Sequence, residues 1–265
     1  MSLPPVGVAN SISANFQFDP LDTFQFARQG SFEIVQIYLN RELLEQAETL
    51  ASIRSEGAGF QEVYFHAEGF LNEDFLKSEY RTALYRFLSS LKSPNYIIHF
   101  DERANIDKLI RLVEILSKDA GKIYIENYFL SPGKVAAEKN LKKYLALFTL
   151  STNFGHTVYP VFDIPRIFHR DLEFSLEEAL EWCYQILNFF GNRNIPLLLH
   201  LIDTTSTDIS RFSFCALGSG CIPYDAIFKF IRKTAPNLAG VILEYEDKIN
   251  PLKSRDYIHQ ALGKP

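Results

Sequence analysis

The sequence has few cysteines, no long apolar run and no excess of basic residues. Its three cysteines, Cys183, Cys215 and Cys221, are too few and too scattered for a disulfide framework. No stretch of about 18 apolar residues occurs, so the sequence predicts no transmembrane helix. The first residues lack the basic and apolar segments of a signal peptide, and we therefore expect a cytoplasmic protein.

Charge and glycine content exclude two further classes of protein. The net charge is −5, without the broad basic footprint of a nucleic-acid-binding protein, so nucleic acid is not the expected partner. No glycine-rich phosphate-binding motif follows the first predicted strand, which argues against an open dinucleotide-binding sheet. Apolar residues, in contrast, make up 47% of the chain and include 23 phenylalanines, which is ample for a large core.

Short apolar strand patterns alternate with helical patterns along the whole chain. Eight such units occur, without a linker or a low-complexity tract, and alternation of this kind is typical of a parallel sheet. The helical patterns include residues 41–54 and residues 72–91, the latter being the longest, and Ser175 with Glu178 fits a capping box. We predict a single (β/α)8 TIM barrel domain over residues 1–265.

Four of the strand patterns end at a side chain that can bind a metal ion. These side chains are Glu126, Asp163, His200 and Glu244, at intervals of about 40 residues, close to the length of one βαβ unit. Strand ends of a parallel barrel converge at one face, so the sequence predicts a site there for a divalent metal ion: Mn²⁺, Mg²⁺, Co²⁺ or Zn²⁺. The alternative is that each residue merely begins a solvated loop.

Further polar residues occupy equivalent positions near the strand ends. His66 and His99 end the third and fourth strands and are candidates for substrate binding or for a second metal ion. Asn127 and Arg166 are candidate substrate-binding residues, since arginine donates hydrogen bonds in a fixed fork. Each has a structural alternative: a buried, hydrogen-bonded histidine, an amide that fixes a neighbouring carboxylate, or a solvated loop charge. Asp203 is expected either to orient His200 or to cap a turn.

Several of these motifs resemble the xylose isomerase-like barrel superfamily. IYIEN (residues 123–127) resembles its fifth-strand Glu-Asn, VFDIPR (161–166) its sixth-strand Asp motif, and LLLHLID (197–203) its seventh-strand His-x-x-Asp. GSGCIPYDAIFKFI (218–231) followed by LAGVILEYE (238–246) is similar to its last helix and strand. That group takes in sugar epimerases, hydroxypyruvate isomerases, inosose dehydratases and the endonuclease IV family.

The resemblance implies a function for the four strand-end residues. It implies a divalent metal ion held by Glu126, Asp163, His200 and Glu244, and a sugar, sugar phosphate or keto-sugar as substrate. Glu126 and Glu244 would also exchange a proton at the carbon beside a carbonyl, as in an isomerase or epimerase. FHAEGFLN (65–72) and IIHFDE (97–102) resemble histidine motifs of the endonuclease IV branch, so a phosphodiester hydrolase is an alternative.

The chain also departs from the family pattern. Arg166 stands where the family usually has a histidine after the sixth-strand aspartate, and Gln36 stands where many members have a glutamate. No Asp-x-His pair occurs between the seventh and eighth strands, and residues 204–207 are uncharged. A non-catalytic barrel that binds a sugar or a protein is therefore a third hypothesis. Aromatic-rich helical segments leave room for a homodimer.

Overall fold

Eight parallel strands close into a barrel in the computed structural model, which describes residues 3–118 and 121–263. The barrel strands are β1 (Val6–Ala9), β2 (Ile34–Leu39), β3 (Glu62–Phe70), β4 (Asn95–His99), β5 (Lys122–Glu126), β6 (Val158–Asp163), β7 (Leu197–Leu201) and β10 (Leu238–Leu243). Two short strands, β8 (Asp203–Thr204) and β9 (Phe214–Cys215), form a separate antiparallel pair. The order around the barrel is β1-β10-β7-β6-β5-β4-β3-β2. This closed order confirms the predicted (β/α)8 barrel.

Helices surround the barrel and connect its strands. They are α1 (Pro20–Gln29), α2 (Arg41–Leu44), α3 (Ala47–Gly57), α4 (Glu73–Lys77), α5 (Glu79–Leu88), α6 (Ile106–Leu116), α7 (Lys134–Asn153), α8 (Leu176–Asn192), α9 (Tyr224–Thr234) and α10 (Asn250–Gly263). The capping box predicted at Ser175 and Glu178 is confirmed at the start of α8, because each side chain accepts the other residue's backbone N–H. Within the described residues, none of these helices is long and apolar enough to cross a membrane.

Two of the predicted helices are interrupted. The pattern over residues 72–91 is divided into α4 and α5 at Ser78, which is extended (φ −75°, ψ 147°) and caps α5 through its hydroxyl oxygen. The pattern over residues 41–54 is likewise divided into α2 and α3. The prediction that residues 72–91 form the longest helix was therefore wrong; α7 is longer, with 20 residues. Periodicity alone missed these breaks because the apolar positions continue across them.

The barrel interior contains its own small apolar layer. Its members are Ala9, Ile34, Tyr64, Ile97, Tyr124, Val161, Leu198 and Ile242, one from each strand. The Tyr124 ring makes a T-shaped contact with Tyr64 at 5.2 Å and stacks on Tyr159 at 5.1 Å. A separate and larger core lies between the strands and the helices. The interior is thus packed solid below the carboxyl ends of the strands, as expected of a barrel of this size.

The segment between β7 and α9 is more ordered than a plain loop. Asp203 is fully buried, and its carboxylate accepts the backbone N–H groups of Thr204, Gly218, Gly220 and Ile222 at 2.8, 2.9, 2.9 and 3.3 Å. Of the two roles expected for Asp203, the structure therefore supports the turn cap. These four hydrogen bonds to Asp203, together with the pairing of β8 with β9, hold residues 204–222 in place beside the barrel.

Candidate active site at the carboxyl ends of the strands

The alternation of side chains along each strand brings the polar residues together at the carboxyl end of the barrel. Side chains of a strand alternate between its two faces, so a residue two positions after an interior residue also faces the interior. The residues two positions after Ile34, Tyr64, Ile97, Tyr124, Val161, Leu198 and Ile242 are Gln36, His66, His99, Glu126, Asp163, His200 and Glu244. The same alternation that fills the barrel with apolar side chains therefore places one polar layer directly above them.

Glu126 is the centre of this polar layer. Its Oε2 atom lies 2.9 Å from His66 Nε2, 3.3 Å from His200 Nδ1 and 3.9 Å from His99 Nε2. Glu244 approaches the same nitrogen of His200, with Oε1 3.2 Å from Nδ1. The two glutamates predicted to transfer protons thus meet at one nitrogen of a buried imidazole.

Two amide side chains position the carboxylates. Gln36 donates from Nε2 to Glu244 Oε1 at 2.7 Å. Asn127 accepts the backbone N–H of Asp163 at 2.7 Å and donates to the backbone carbonyl of Asp163 at 3.0 Å. Asn127 is fully buried, and both functions of its amide are used by a neighbouring strand. Asn127 therefore fixes the end of β6, as the structural alternative for this residue expected, and its binding of substrate stays a prediction.

Arg166 brings a positive charge into the same layer. Its Nε atom lies 2.6 Å from Asp163 Oδ2 and 3.7 Å from Glu126 Oε1. The Nε–H is not aligned with either oxygen, so these contacts are ion pairs rather than directed hydrogen bonds. The guanidinium carbon lies 3.7 Å from the centre of the Tyr128 ring, at the distance of a close cation–π contact.

Burial and mutual charge move the pKa values of these groups in opposite directions. Burial alone would raise the pKa of Glu126, but the neighbouring imidazoles of His200 and His99 hold it well below its usual value. Burial raises the pKa of Asp163 to about 7, although Arg166 opposes this shift. Burial would lower the pKa of His200, yet the carboxylates of Glu244 and Glu126 raise it to about 9. Burial lowers the pKa of His99 to about 3, which keeps its ring neutral.

The donor set fits a divalent metal ion. Both ring nitrogens of His200 are buried, and neither makes an aligned hydrogen bond to any described residue. Buried polar atoms normally have a partner, and a bound metal ion would provide one here. Within residues 3–118 and 121–263, the side chains that offer three ligand atoms within 4.8 Å of one another are His66, His99 and Glu126. Glu126 thus belongs both to this group and to the predicted set, and binding by the predicted four residues stays a prediction.

Two cavities meet at this layer. The larger, of about 860 Å³, is bordered by Glu126 and by aromatic residues near its mouth, including Phe16, Phe18 and Tyr38. The smaller, of about 430 Å³, lies between the loops after β5, β6 and β7. Arg166 and Glu244 border both cavities. A substrate held in either cavity would therefore lie beside the same charged pair.

The strand-end residues predicted from the sequence lie together, and the structure adds others. One layer contains the predicted residues Glu126, Asp163, His200, Glu244, His66, His99 and Arg166. Tyr128, which follows Glu126 and Asn127 in the sequence, was not among the predicted site residues. Gln36 was identified from the sequence only as a departure from a family pattern. The position of Gln36, two residues after an interior isoleucine, was the signal that could have identified it.

Comparison with known proteins identifies relatives in fold and does not establish an activity. No family model and no curated protein matches the chain. A xylose isomerase-like TIM barrel/4-hydroxyphenylpyruvate dioxygenase fusion protein aligns with a TM-score of 0.62 and 14% identity over 98% of this chain, which spans 43% of that longer protein. A D-psicose 3-epimerase gives 0.61 and 14% over 98% of this chain and 100% of its own.

A third solved structure agrees with these two. A sugar phosphate isomerase/epimerase from Parabacteroides distasonis aligns with a TM-score of 0.59 and 13% identity, over 98% of this chain and 95% of its own. Identities this low show a common fold and not a common substrate. The chain has the fold of the xylose isomerase-like TIM barrel proteins.

Proposed function

We propose that the protein is a sugar isomerase or epimerase that moves a proton at the carbon beside a carbonyl group. The observation that carries this proposal is the pair of carboxylates, Glu126 and Glu244, which border the larger cavity and lie 3.3 and 3.2 Å from the same nitrogen of His200. Two carboxylates on different strands can remove a proton from one face of a substrate and return one to the other face. The solved structures of epimerases and isomerases with this fold support the proposal.

The two carboxylates have different surroundings, which suits different roles. Glu244 is partly exposed, with 28% of its side chain accessible, and Gln36 holds one of its oxygens at 2.7 Å. It is therefore the group better able to meet an incoming substrate and to take up its proton. Glu126 is buried and held by His66, so its carboxylate is fixed in position. Arg166 can orient a carbonyl or hydroxyl oxygen between them, since its N–H groups are charged donors.

A divalent metal ion is part of this proposal. Glu126 would hold it together with His66 and His99, or with His200, Asp163 and Glu244 as the sequence predicts. When bound, the ion would supply positive charge to stabilise the negative charge that develops on the substrate oxygens. His200 would have to be neutral to act as a ligand, so binding at that nitrogen would release a proton.

The proposal is tested by proton exchange. The protein is incubated with Mn²⁺ in deuterated water, with a panel of ketoses, sugar phosphates and hydroxypyruvate, and NMR follows loss of the proton beside the carbonyl. Exchange with at least one substrate is expected, and its rate should fall by at least about 100-fold in Glu244→Gln, because general acid–base groups contribute factors of that order. Glu246→Gln, two residues further on, is the matched control. Absence of exchange with every member of the panel contradicts the proposal.

A phosphodiester hydrolase is the second candidate. It is favoured by the group formed by His66, His99 and Glu126, which can hold an ion able to polarise a phosphoryl oxygen. The net charge of −5 disfavours it, because binding to DNA draws on neutralised phosphates. Cleavage of a duplex with an abasic site at low salt, together with the absence of proton exchange, would favour this candidate over the first.

A further inference from the structure

The chain places Arg166 beside Asp163 by a short local device. Strand β6 ends at Asp163, and a single 3₁₀ turn, Pro165–Phe168, follows. This turn folds the residue three positions after Asp163 back over its carboxylate, which gives the 2.6 Å contact. Tyr128, from the loop after the neighbouring strand β5, covers the guanidinium at 3.7 Å. Both the charge and the orientation of Arg166 are therefore fixed by adjacent parts of the barrel.

The two oxygens of Glu126 point to different partners. Oε2 faces the imidazoles, at 2.9 Å from His66 Nε2 and 3.9 Å from His99 Nε2. Oε1 is the oxygen nearest Arg166, at 3.7 Å. Glu126 thus divides the polar layer into two halves. One half offers imidazole nitrogens and a carboxylate oxygen, and the other already contains the guanidinium of Arg166.

Arg166 opposes the binding of a metal ion at Oδ2 of Asp163. Carboxylate oxygens bind Zn²⁺ at about 2.0–2.2 Å. The Nε atom of Arg166 already lies 2.6 Å from Asp163 Oδ2. An ion at that oxygen would therefore bind next to a positive charge, and the repulsion disfavours it while the guanidinium stays in place.

We propose that Arg166 is the permanent cation of the Asp163 half of the site. The centre then takes up one divalent ion, on the half formed by His66, His99 and Glu126 Oε2. Arg166 provides the positive charge that a second ion would provide at Asp163. The guanidinium binds a substrate oxygen on the side away from the ion, a role that rests on the proposed function. The count and place of the ion do not depend on that function.

The test is a metal count on purified protein. The parent and its variants are dialysed against Zn²⁺ and, separately, Mn²⁺, and bound metal is measured by elemental mass spectrometry. We expect about one ion per chain in the parent, its loss in His66→Ala and His99→Ala, and its retention in Asp163→Asn. Arg166→Met keeps an unbranched side chain but removes the charged guanidinium. We expect this variant to take up about two ions, the second of which is lost again when Asp163→Asn is added.

Control variants separate charge from shape. Arg166→Lys keeps the charge and is expected to stay at about one ion. Arg170→Met removes an exposed arginine that pairs with Asp208 on the same segment, and it is also expected to leave the count at about one. Circular dichroism and thermal unfolding of each variant identify any that fail to fold; Arg166→Gln replaces Arg166→Met if that variant does.

The outcomes are distinct. Equal uptake by the parent and the folded Arg166→Met protein overturns the inference, as does an ion in the parent that is lost in Asp163→Asn and retained in His66→Ala. A gain of one ion on loss of the Arg166 charge supports it, whether or not the protein exchanges a proton with any sugar. Failure of proton exchange with the predicted metal counts would therefore refute the proposed function and leave this inference standing.

Discussion

The buried carboxylate of Asp203 is expected to control the order of the segment beside the smaller cavity. Oδ1 accepts the N–H groups of Thr204 and Ile222, and Oδ2 accepts those of Gly218 and Gly220. In Asp203→Asn one oxygen becomes an NH₂ group, so at least two buried N–H groups lose their acceptor and face another donor. Each such group costs about 1–3 kcal/mol, so the change should destabilise the segment by about 2–6 kcal/mol.

Two measurements follow this effect. Hydrogen exchange at Gly218 and Gly220 should accelerate by at least about 30-fold, the factor that corresponds to about 2 kcal/mol, if the segment opens locally. The urea midpoint should fall as well if opening is coupled to the barrel. Asp208→Asn is the matched control, because Asp208 is an exposed carboxylate on the same segment. Unchanged exchange at both glycines, with a midpoint equal to that of the control, would refute the reasoning.

Three further changes test the elements that hold the site. Asn127→Asp should lower the free energy of unfolding in urea by at least about 2 kcal/mol, because a carboxylate cannot donate to the backbone carbonyl of Asp163. The same change at the exposed Asn153 is the control and should have little effect. An Asn127→Asp protein as stable as the parent would contradict this account. Tyr144→Phe should lower the free energy of unfolding by about 1–3 kcal/mol, since the Tyr144 hydroxyl lies 2.9 and 2.8 Å from the carbonyl oxygens of two strands. An unchanged thermal midpoint would argue against this bridge. Burial opposes a low pKa of Asp22, but hydrogen bonds from Lys248 and Ser13 lower it. Asp22→Asn should therefore lower the free energy of unfolding by about 0.5 kcal/mol at pH 7 and progressively less below about pH 4, where the carboxylate of the parent becomes protonated. A stability difference that persists at pH 2 would contradict this assignment.

The barrel and its polar layer could be read from the sequence because both depend on a period of two. Apolar runs ending at a carboxylate or an imidazole recur at the spacing of βαβ units. The structure places each of these side chains within one residue of the end of its strand: Glu126, Asp163, His200 and Glu244. His99 likewise ends β4, whereas β3 continues past His66 to Phe70, so the prediction that His66 ends the third strand was wrong. His66 still belongs to the polar layer, because it follows the interior Tyr64 by two residues. These positions were predictable because strand alternation is a local property of the backbone.

Contacts between side chains from different strands could not be read in the same way. The sequence gives Arg166 as a residue after a strand, but its stacking on Tyr128 depends on two loops that meet only in the folded barrel. The Asn127 amide bonds both the N–H and the C=O of Asp163, and these two hydrogen bonds likewise depend on the register of β5 against β6. The interruption at Ser78 escaped prediction because a hydroxyl cap competes with helix continuation through a single hydrogen bond.

The tyrosines of the barrel interior have an optical consequence. Tyr124 lies between Tyr64 and Tyr159 in a fixed, asymmetric arrangement, and such rings give strong near-ultraviolet circular dichroism only while the geometry persists. The chain contains one tryptophan, Trp182 on α8, which packs against the outer core. Tyrosine dichroism, assigned through Tyr124→Phe, therefore follows the barrel interior, and tryptophan emission follows the helical shell. A difference between their unfolding curves would show that the shell loosens before the barrel opens.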